Sequence, residues 1–207
     1  MPLLFLVIGY LLVYFLAGPV LQPLQSVYGM MIGTDVPKFE EEEEEQVVNL
    51  ADANEEQQKV DISEVVFPNI GDKFARITIS GTTVDCDLYY GDTKAILKKG
   101  AGQYTGSKLP GFGSTTMVAA HVTTHFKDLK NVEPGDVVTI TTTYGVYTYT
   151  IESTAIKNYQ DPSAYDLRAA EDNLVLYTCY PFDSFTFTAQ RFFVYAKYTS
   201  GPPVVYR

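Results

Sequence analysis

From Asp61 onward the chain is cut into short runs of β-patterned residues by turn signals, and this punctuation limits the folds open to it. The runs are Ala75–Ile79, Thr82–Leu88, Thr116–Ala120, Asp136–Thr142, Val146–Ile151, Leu174–Thr178 and Arg191–Ala196. Each is rich in β-branched or aromatic residues, which suit a pleated and half-buried surface. Thr143-Tyr-Gly-Val146 reads as a hairpin turn between two alternating strands, and Pro134-Gly-Asp136 as a second turn. Single helical turns are expected at Phe126–Asn131 and at Pro162–Ala170. Many short strands at this spacing predict a mainly β domain, closed or sandwiched, over residues 61–207.

The first sixty residues have a different texture. Leu3–Leu21 carries no charged side chain. At about 1.5 Å rise per residue, such a stretch matches a hydrocarbon core of about 30 Å. No Lys or Arg precedes it, so it lacks the basic start of a signal peptide. Residues 1–32 are expected to form an uncleaved transmembrane helix with its flank, the tail inside and the following domain outside. Residues 33–60 are expected to be an extended acidic linker. Ten acids fall in residues 35–60 against Lys38 and Lys59, which accounts for −8 of the net charge of −10. The remainder is close to neutral, so there is no basic face for a nucleic-acid backbone, and that class of partner is excluded.

The reactive inventory is short: Cys86, Cys179, His121, His125 and four arginines, Arg76, Arg168, Arg191 and Arg207. No Cys-x-x-Cys or His-Glu-x-x-His spacing occurs, so neither a metal nor a cofactor is expected. Cys179 ends an apolar strand, and Tyr180-Pro181 stops it because proline has no N–H to donate. If the next strand pairs with it, Arg191 and Cys179 share one end of the sheet. His121 also follows an apolar strand. A thiol acting at neutral pH needs a proton acceptor or cation nearby, and acyl chemistry needs a donor where negative charge develops. Cys179, one histidine and Arg191 would supply those three roles, although His121 on its own reads equally as a buried, hydrogen-bonded imidazole. His125, in the next loop, reads as a hydrogen-bonding imidazole, and Cys86 as a buried structural thiol.

Five segments in order resemble the sortases, membrane-anchored cysteine transpeptidases of Gram-positive bacteria. Leu97–Gly111 (LKKGAGQYTGSKLPG) resembles the family's KG-x-GHY-x-GT-x-LPG segment. Met117–Phe126 (MVAAHVTTHF) resembles LAGHRDTHF, and Leu129–Val137 resembles L-x-x-G-D. Val175–Phe182 (VLYTCYPF) resembles TLVTCYPF, and Gln190–Ala196 (QRFFVYA) resembles KRFVV-x-A. Ala120, Val122 and Val175 depart from the family's Gly, Arg and Thr, and none of these is a catalytic position. The likeness is strongest to the class D branch.

The resemblance implies a closed eight-stranded β-barrel with short helices. It implies that Cys179 attacks an LPxTG-like sorting motif after its Thr, that His121 protonates the departing amine, and that Arg191 holds the motif or stabilises the oxyanion. The acyl group then passes to an amine of a peptidoglycan precursor or pilin. Tyr104, Leu109, Pro110, Thr178 and Tyr180 are expected to touch the substrate, with the 155–172 segment as a further wall. The implied location is the cell membrane, single-pass, with the catalytic domain extracellular. A rival reading is a non-catalytic tethered β-domain that binds peptide or wall polymer, its two cysteines bridged or inert.

Overall fold

The computed structural model describes residues 59–183 and 188–206. The Leu3–Leu21 span and nearly all of the acidic linker lie outside the described residues. Among the described residues no helix is long and apolar enough to cross a membrane.

The described residues form ten strands: β1 (Val60–Asp61), β2 (Lys73–Ile79), β3 (Asp85–Tyr90), β4 (Ala101–Gln103), β5 (Thr115–Ala119), β6 (Val137–Thr142), β7 (Val146–Asn158), β8 (Asn173–Cys179), β9 (Gln190–Ser200) and β10 (Val204–Val205). A one-turn helix, α1 (Lys94–Leu97), stands between β3 and β4. Eight strands close into a barrel in the order β2-β3-β4-β5-β8-β9-β7-β6, as the family resemblance implies. The β3–β4 and β5–β8 pairs are parallel, and the other barrel pairs are antiparallel.

Alternation along the strands fills the barrel. On β8, Leu174, Leu176 and Thr178 point inward and are buried, whereas Val175, Tyr177 and Cys179 fall on the outer face. Ile77, Leu88, Val118, Val138, Ile140 and Val194 meet the inward residues of β8 in one core. Each large aliphatic side chain buried this way contributes about 1.5–3 kcal/mol. Tyr147 and Tyr149 are also buried, and their hydroxyls reach the Pro202 carbonyl at 3.0 Å and Asp172 Oδ1 at 3.0 Å. Asp172 Oδ2 accepts from the N–H of Gly111 at 2.8 Å. Burial pushes the Asp172 carboxyl above the usual carboxylate range. Gly111 adopts φ +86°, and a Cβ there would stand 2.6 Å from the Tyr147 ring, so the loop crossing this barrel end requires glycine.

The expected turns at 143–146 and 134–136 join β6 to β7 and lead into β6, with Gly135 at φ +102°. The helical turn expected at Phe126–Asn131 is a turn of 3-10 helix, Lys127–Asn131. Pro162–Ala170 is not helical. Asp161 Oδ1 accepts from the Ser163 N–H and Asp166 Oδ1 from the Arg168 N–H, both at 2.8 Å. These local side-chain bonds hold the segment in turns, where a helix would need the same N–H groups free of such competition.

Candidate active site

β8 lies between a parallel neighbour, β5, and an antiparallel one, β9. In the β8–β9 ladder Cys179 stands directly opposite Arg191. Directly opposed residues project from the same face, so thiol and guanidinium emerge together on the barrel's outer face. On the other side Ala119 pairs with Tyr177. The Ala120 N–H reaches the Tyr177 carbonyl at 3.4 Å, and the Thr178 hydroxyl donates to the Ala120 carbonyl at 2.8 Å. Two residues past that pair in each strand stand His121 and Cys179, so both lie at the C-terminal ends of the parallel pair. Parallel β5 and β8 bring their C-terminal ends to one rim of the barrel, and antiparallel β9 brings its N-terminal end there. Three side chains distant in sequence are thus gathered at one rim.

The His121 imidazole is half-buried. Burial first, then His125 and Lys98, hold its pKa below the usual 6.5, so it favours the neutral form. His125 is lowered too, chiefly by burial. A neutral imidazole accepts a proton from a thiol, and the imidazolium so formed donates one to a leaving amine. Arg191 Nη1 donates to the carbonyls of Thr188 at 2.6 Å and Gln190 at 2.9 Å, and its guanidinium carbon lies 5.4 Å from the Tyr159 ring centroid.

The two cysteines are not bridged. Cys179 is partly exposed, whereas Cys86 is buried on β3, and desolvation pushes its thiol up to about 11. A thiol held protonated in this way is inert. Among the described residues no group of three or more His, Cys, Asp or Glu side chains is arranged to hold a metal ion.

The expected substrate-contact residues separate by position. Tyr104 packs on the outer face with Met117, Val175, Tyr177 and Phe193. Tyr180 follows the thiol directly, and its ring meets Phe182 edge-on at 6.2 Å. Thr178 faces the interior at 2% exposure, tying the His121 segment to β8. Leu109 is buried in the main core, and the Pro110 carbonyl accepts from Tyr144 at 3.0 Å. Their neighbour Gly111 bonds Asp172, at the far end of β8 from Cys179. The 159–172 segment crosses the outer face of the barrel. Ala164 is buried against Met117, Val175 and Phe193, the Tyr195 hydroxyl donates to its carbonyl at 2.8 Å, and Lys157 Nζ donates to the Ser163 carbonyl at 2.7 Å.

Two partners escaped the sequence reading. The Tyr177 hydroxyl donates to Asp92 Oδ2 at 3.5 Å, and Tyr159 lies under Arg191. Asp92 reaches Tyr177 by a loop that no strand pattern marks. Tyr159 reaches Arg191 because β7 runs seven residues past Ile151.

Comparison with known proteins points to one family. The chain is 28% identical over 130 residues to sortase D of Bacillus subtilis (strain 168), across 63% of this chain and 66% of that protein. The chain thus spans just under two thirds of the length of that curated relative. Sortase E from Streptomyces avermitilis superposes with a TM-score of 0.56 at 27% identity, covering 65% of this chain and 93% of that one. A Clostridium perfringens sortase D5 transpeptidase shares the fold with a TM-score of 0.58 at 22% identity, covering 65% of this chain and 83% of that one. The sortase domain family model matches residues 77–199, which run from within β2 to the penultimate residue of β9 and contain Cys179, His121 and Arg191. With more than half of its length matched and the same barrel carrying it, the chain belongs to the sortase family.

Proposed function

We propose that this protein is a membrane-anchored sortase with an extracellular catalytic domain, which cleaves an LPxTG-like sorting motif after its Thr and transfers the acyl product to a cell-wall or pilin amine. The supporting observation is the register: Cys179 opposite Arg191 on one face of the barrel, with the His121 segment bonded alongside through Thr178.

In this reading the Cys179 sulfur attacks the carbonyl carbon of the Thr–Gly bond, and His121 takes the thiol proton. The tetrahedral oxyanion forms on the side of Arg191, whose charge opposes it. Collapse breaks the C–N bond, His121 returns its proton to the departing amine, and a thioester remains. An incoming amine then attacks the thioester and gives a proton to His121, the C–S bond breaks, and His121 passes that proton to the departing sulfur, which leaves Cys179 as a thiol. Tyr104 and Tyr180 border the motif. Thr178 supports the His121 segment from within the barrel. Leu3–Leu21 holds the domain at the membrane, and the acidic linker keeps it at a distance.

The test is mass spectrometry of the soluble domain incubated with an LPxTG-type peptide, with and without a small amine, beside Cys179→Ala. An acyl adduct on Cys179 and an amine-dependent ligation product are expected. If no motif variant yields an adduct and Cys179 resists thiol reagents, the domain is a peptide- or polymer-binding module.

A further inference from the structure

Arg191 opens β9 at the rim, and its long side chain has many rotamers to lose before it can serve a developing charge. The structure shows what restrains it. β7 continues past the barrel wall alongside β9, with Ile156 opposite Phe192, Lys157 opposite Arg191 and Asn158 opposite Gln190. The Tyr159 N–H then donates to the Ala189 carbonyl at 2.9 Å, which fixes the tyrosine backbone against the start of β9. Its ring lies 5.4 Å from the guanidinium carbon, inside the range of about 6 Å for a cation–π contact. The two backbone acceptors of Nη1, Thr188 and Gln190, are on the β9 side of the guanidinium, and the ring comes from β7.

The opposite residue on β7 makes such a restraint useful. Lys157 is a like charge directly across from Arg191. It turns to its own loop, donating to the Ser163 carbonyl at 2.7 Å and the Ser163 hydroxyl at 3.2 Å, with its Nζ 6.0 Å from the Tyr195 ring centroid. The two cations therefore have separate aromatic seats, Tyr195 for Lys157 and Tyr159 for Arg191.

We propose that Tyr159 is a positioning residue, whose ring, reaching Arg191 from the β7 flank, limits the conformations of the guanidinium at the rim where β8 ends, so that fewer are lost when it meets the oxyanion. The inference rests on the sortase reading of Cys179 and Arg191. What matters is then the ring face and not the hydroxyl, so phenylalanine should serve and leucine should not.

The experiment compares Tyr159→Phe and Tyr159→Leu in the soluble domain by the rate of Cys179 acylation with an LPxTG-type peptide, alone and combined with Arg191→Ala. Tyr159→Phe should stay within about twofold of the unaltered protein, and Tyr159→Leu should acylate about threefold to tenfold more slowly. The loss should fall on the acylation rate constant at saturating peptide, with the melting temperature unchanged. In the Arg191→Ala background Tyr159→Leu should cost nothing further. Equal acylation by Tyr159→Leu and the unaltered protein, an equal loss in Tyr159→Phe, or an undiminished loss in the Arg191→Ala background would each overturn the proposal. A second readout is independent of activity. With four arginines in the chain, the Arg191 side-chain resonances can be assigned by NMR. They should carry a ring-current shift that Tyr159→Leu removes and Tyr159→Phe keeps, and resonances unmoved by Tyr159→Leu would refute the restraint. If the unaltered protein fails to acylate, the sortase reading falls, and the NMR result still decides whether Tyr159 holds Arg191.

Discussion

Thr178→Val tests how the histidine is held beside the thiol. The valine is close to isosteric, so packing against Leu174, Leu176 and the rest of the core is nearly preserved. What is lost is one hydroxyl, 2% exposed at its residue, that donates to the Ala120 carbonyl at 2.8 Å. The ladder is weak at this point. β5 ends at Ala119, and the next contact, from the Ala120 N–H to the Tyr177 carbonyl, is already long at 3.4 Å. Removing one member of a buried pair leaves the other short of a partner, at a cost of about 1–3 kcal/mol. For a domain of this size each kcal/mol lowers the melting temperature by roughly 2–4 °C. The expected shift is therefore about 2–12 °C. The effect on chemistry should be larger than the stability loss implies, because a misplacement of about 1 Å can cost about a hundredfold in rate. Differential scanning calorimetry and the Cys179 acylation rate, measured well below the melting temperature, read the two effects separately. Thr178→Ser keeps the donor and should recover most of the rate. The reasoning fails if Thr178→Val acylates like the unaltered protein, or if Thr178→Ser loses as much as Thr178→Val.

Four further outcomes follow from the same geometry. Iodoacetamide should label Cys179 in the native domain and leave Cys86 untouched until denaturant is added, since Cys86 is buried with its pKa raised to about 11; native labelling of Cys86, read by peptide mapping, would contradict this. Acylation should decline as pH falls, with a midpoint below 6.5, because an imidazolium at His121 cannot take the thiol proton and burial holds its pKa down; a midpoint above 6.5 in the pH–rate profile would be inconsistent. Both histidines bind protons more weakly folded than unfolded, so their contribution to stability is complete above about pH 6.5 and is lost as pH falls through their depressed values. His125→Gln should therefore lose less melting temperature than the unaltered domain between pH 7 and pH 5. Asp172→Ala strands the Tyr149 hydroxyl and the Gly111 N–H, and should cost about 2–4 kcal/mol in urea denaturation. It should leave acylation of the folded fraction unchanged, because Cys179 lies about 23 Å away along β8.

The strands that bury one face against the barrel core were legible because alternation is a direct image of that burial. β2, β6 and β8 fall within two residues of the expected runs. β4 was not legible. Ala101-Gly-Gln103 has no periodicity of its own and becomes a strand because β3 and β5 flank it. The outer half of β7 failed for a related reason: Glu152–Asn158 is exposed or half-exposed along its length and is strand only through its ladder with β9. That failure concealed Tyr159, whose contact with Arg191 depends on β7 continuing to Asn158. Cys179 and Arg191 could be placed together from the sequence, because each sits at the boundary of an apolar run, and a hairpin-like return pairs such boundaries. His121 could be brought in only through the family resemblance, since nothing in its own neighbourhood states that β5 runs parallel to β8.

That difference in pairing has a functional consequence. Cys179 and Arg191 are joined by adjacent antiparallel strands, β8 and β9, and close together over a short loop. The His121 segment reaches β8 through a parallel ladder, and its last bond, from Thr178 to Ala120, spans 58 residues of sequence. Parallel pairing of this kind forms only after the whole β6–β7 hairpin and the 159–172 crossing have been accommodated, so it has the larger loop entropy to overcome. Loosening the β5–β8 seam should therefore withdraw the proton carrier first and leave the thiol and guanidinium still facing each other. Variants along that seam, Thr178→Val among them, should slow acylation while keeping the KM for the sorting peptide near its original value. Variants at Arg191 should change both. Had the barrel been assembled by local hairpins alone, the two sets of variants would be kinetically indistinguishable.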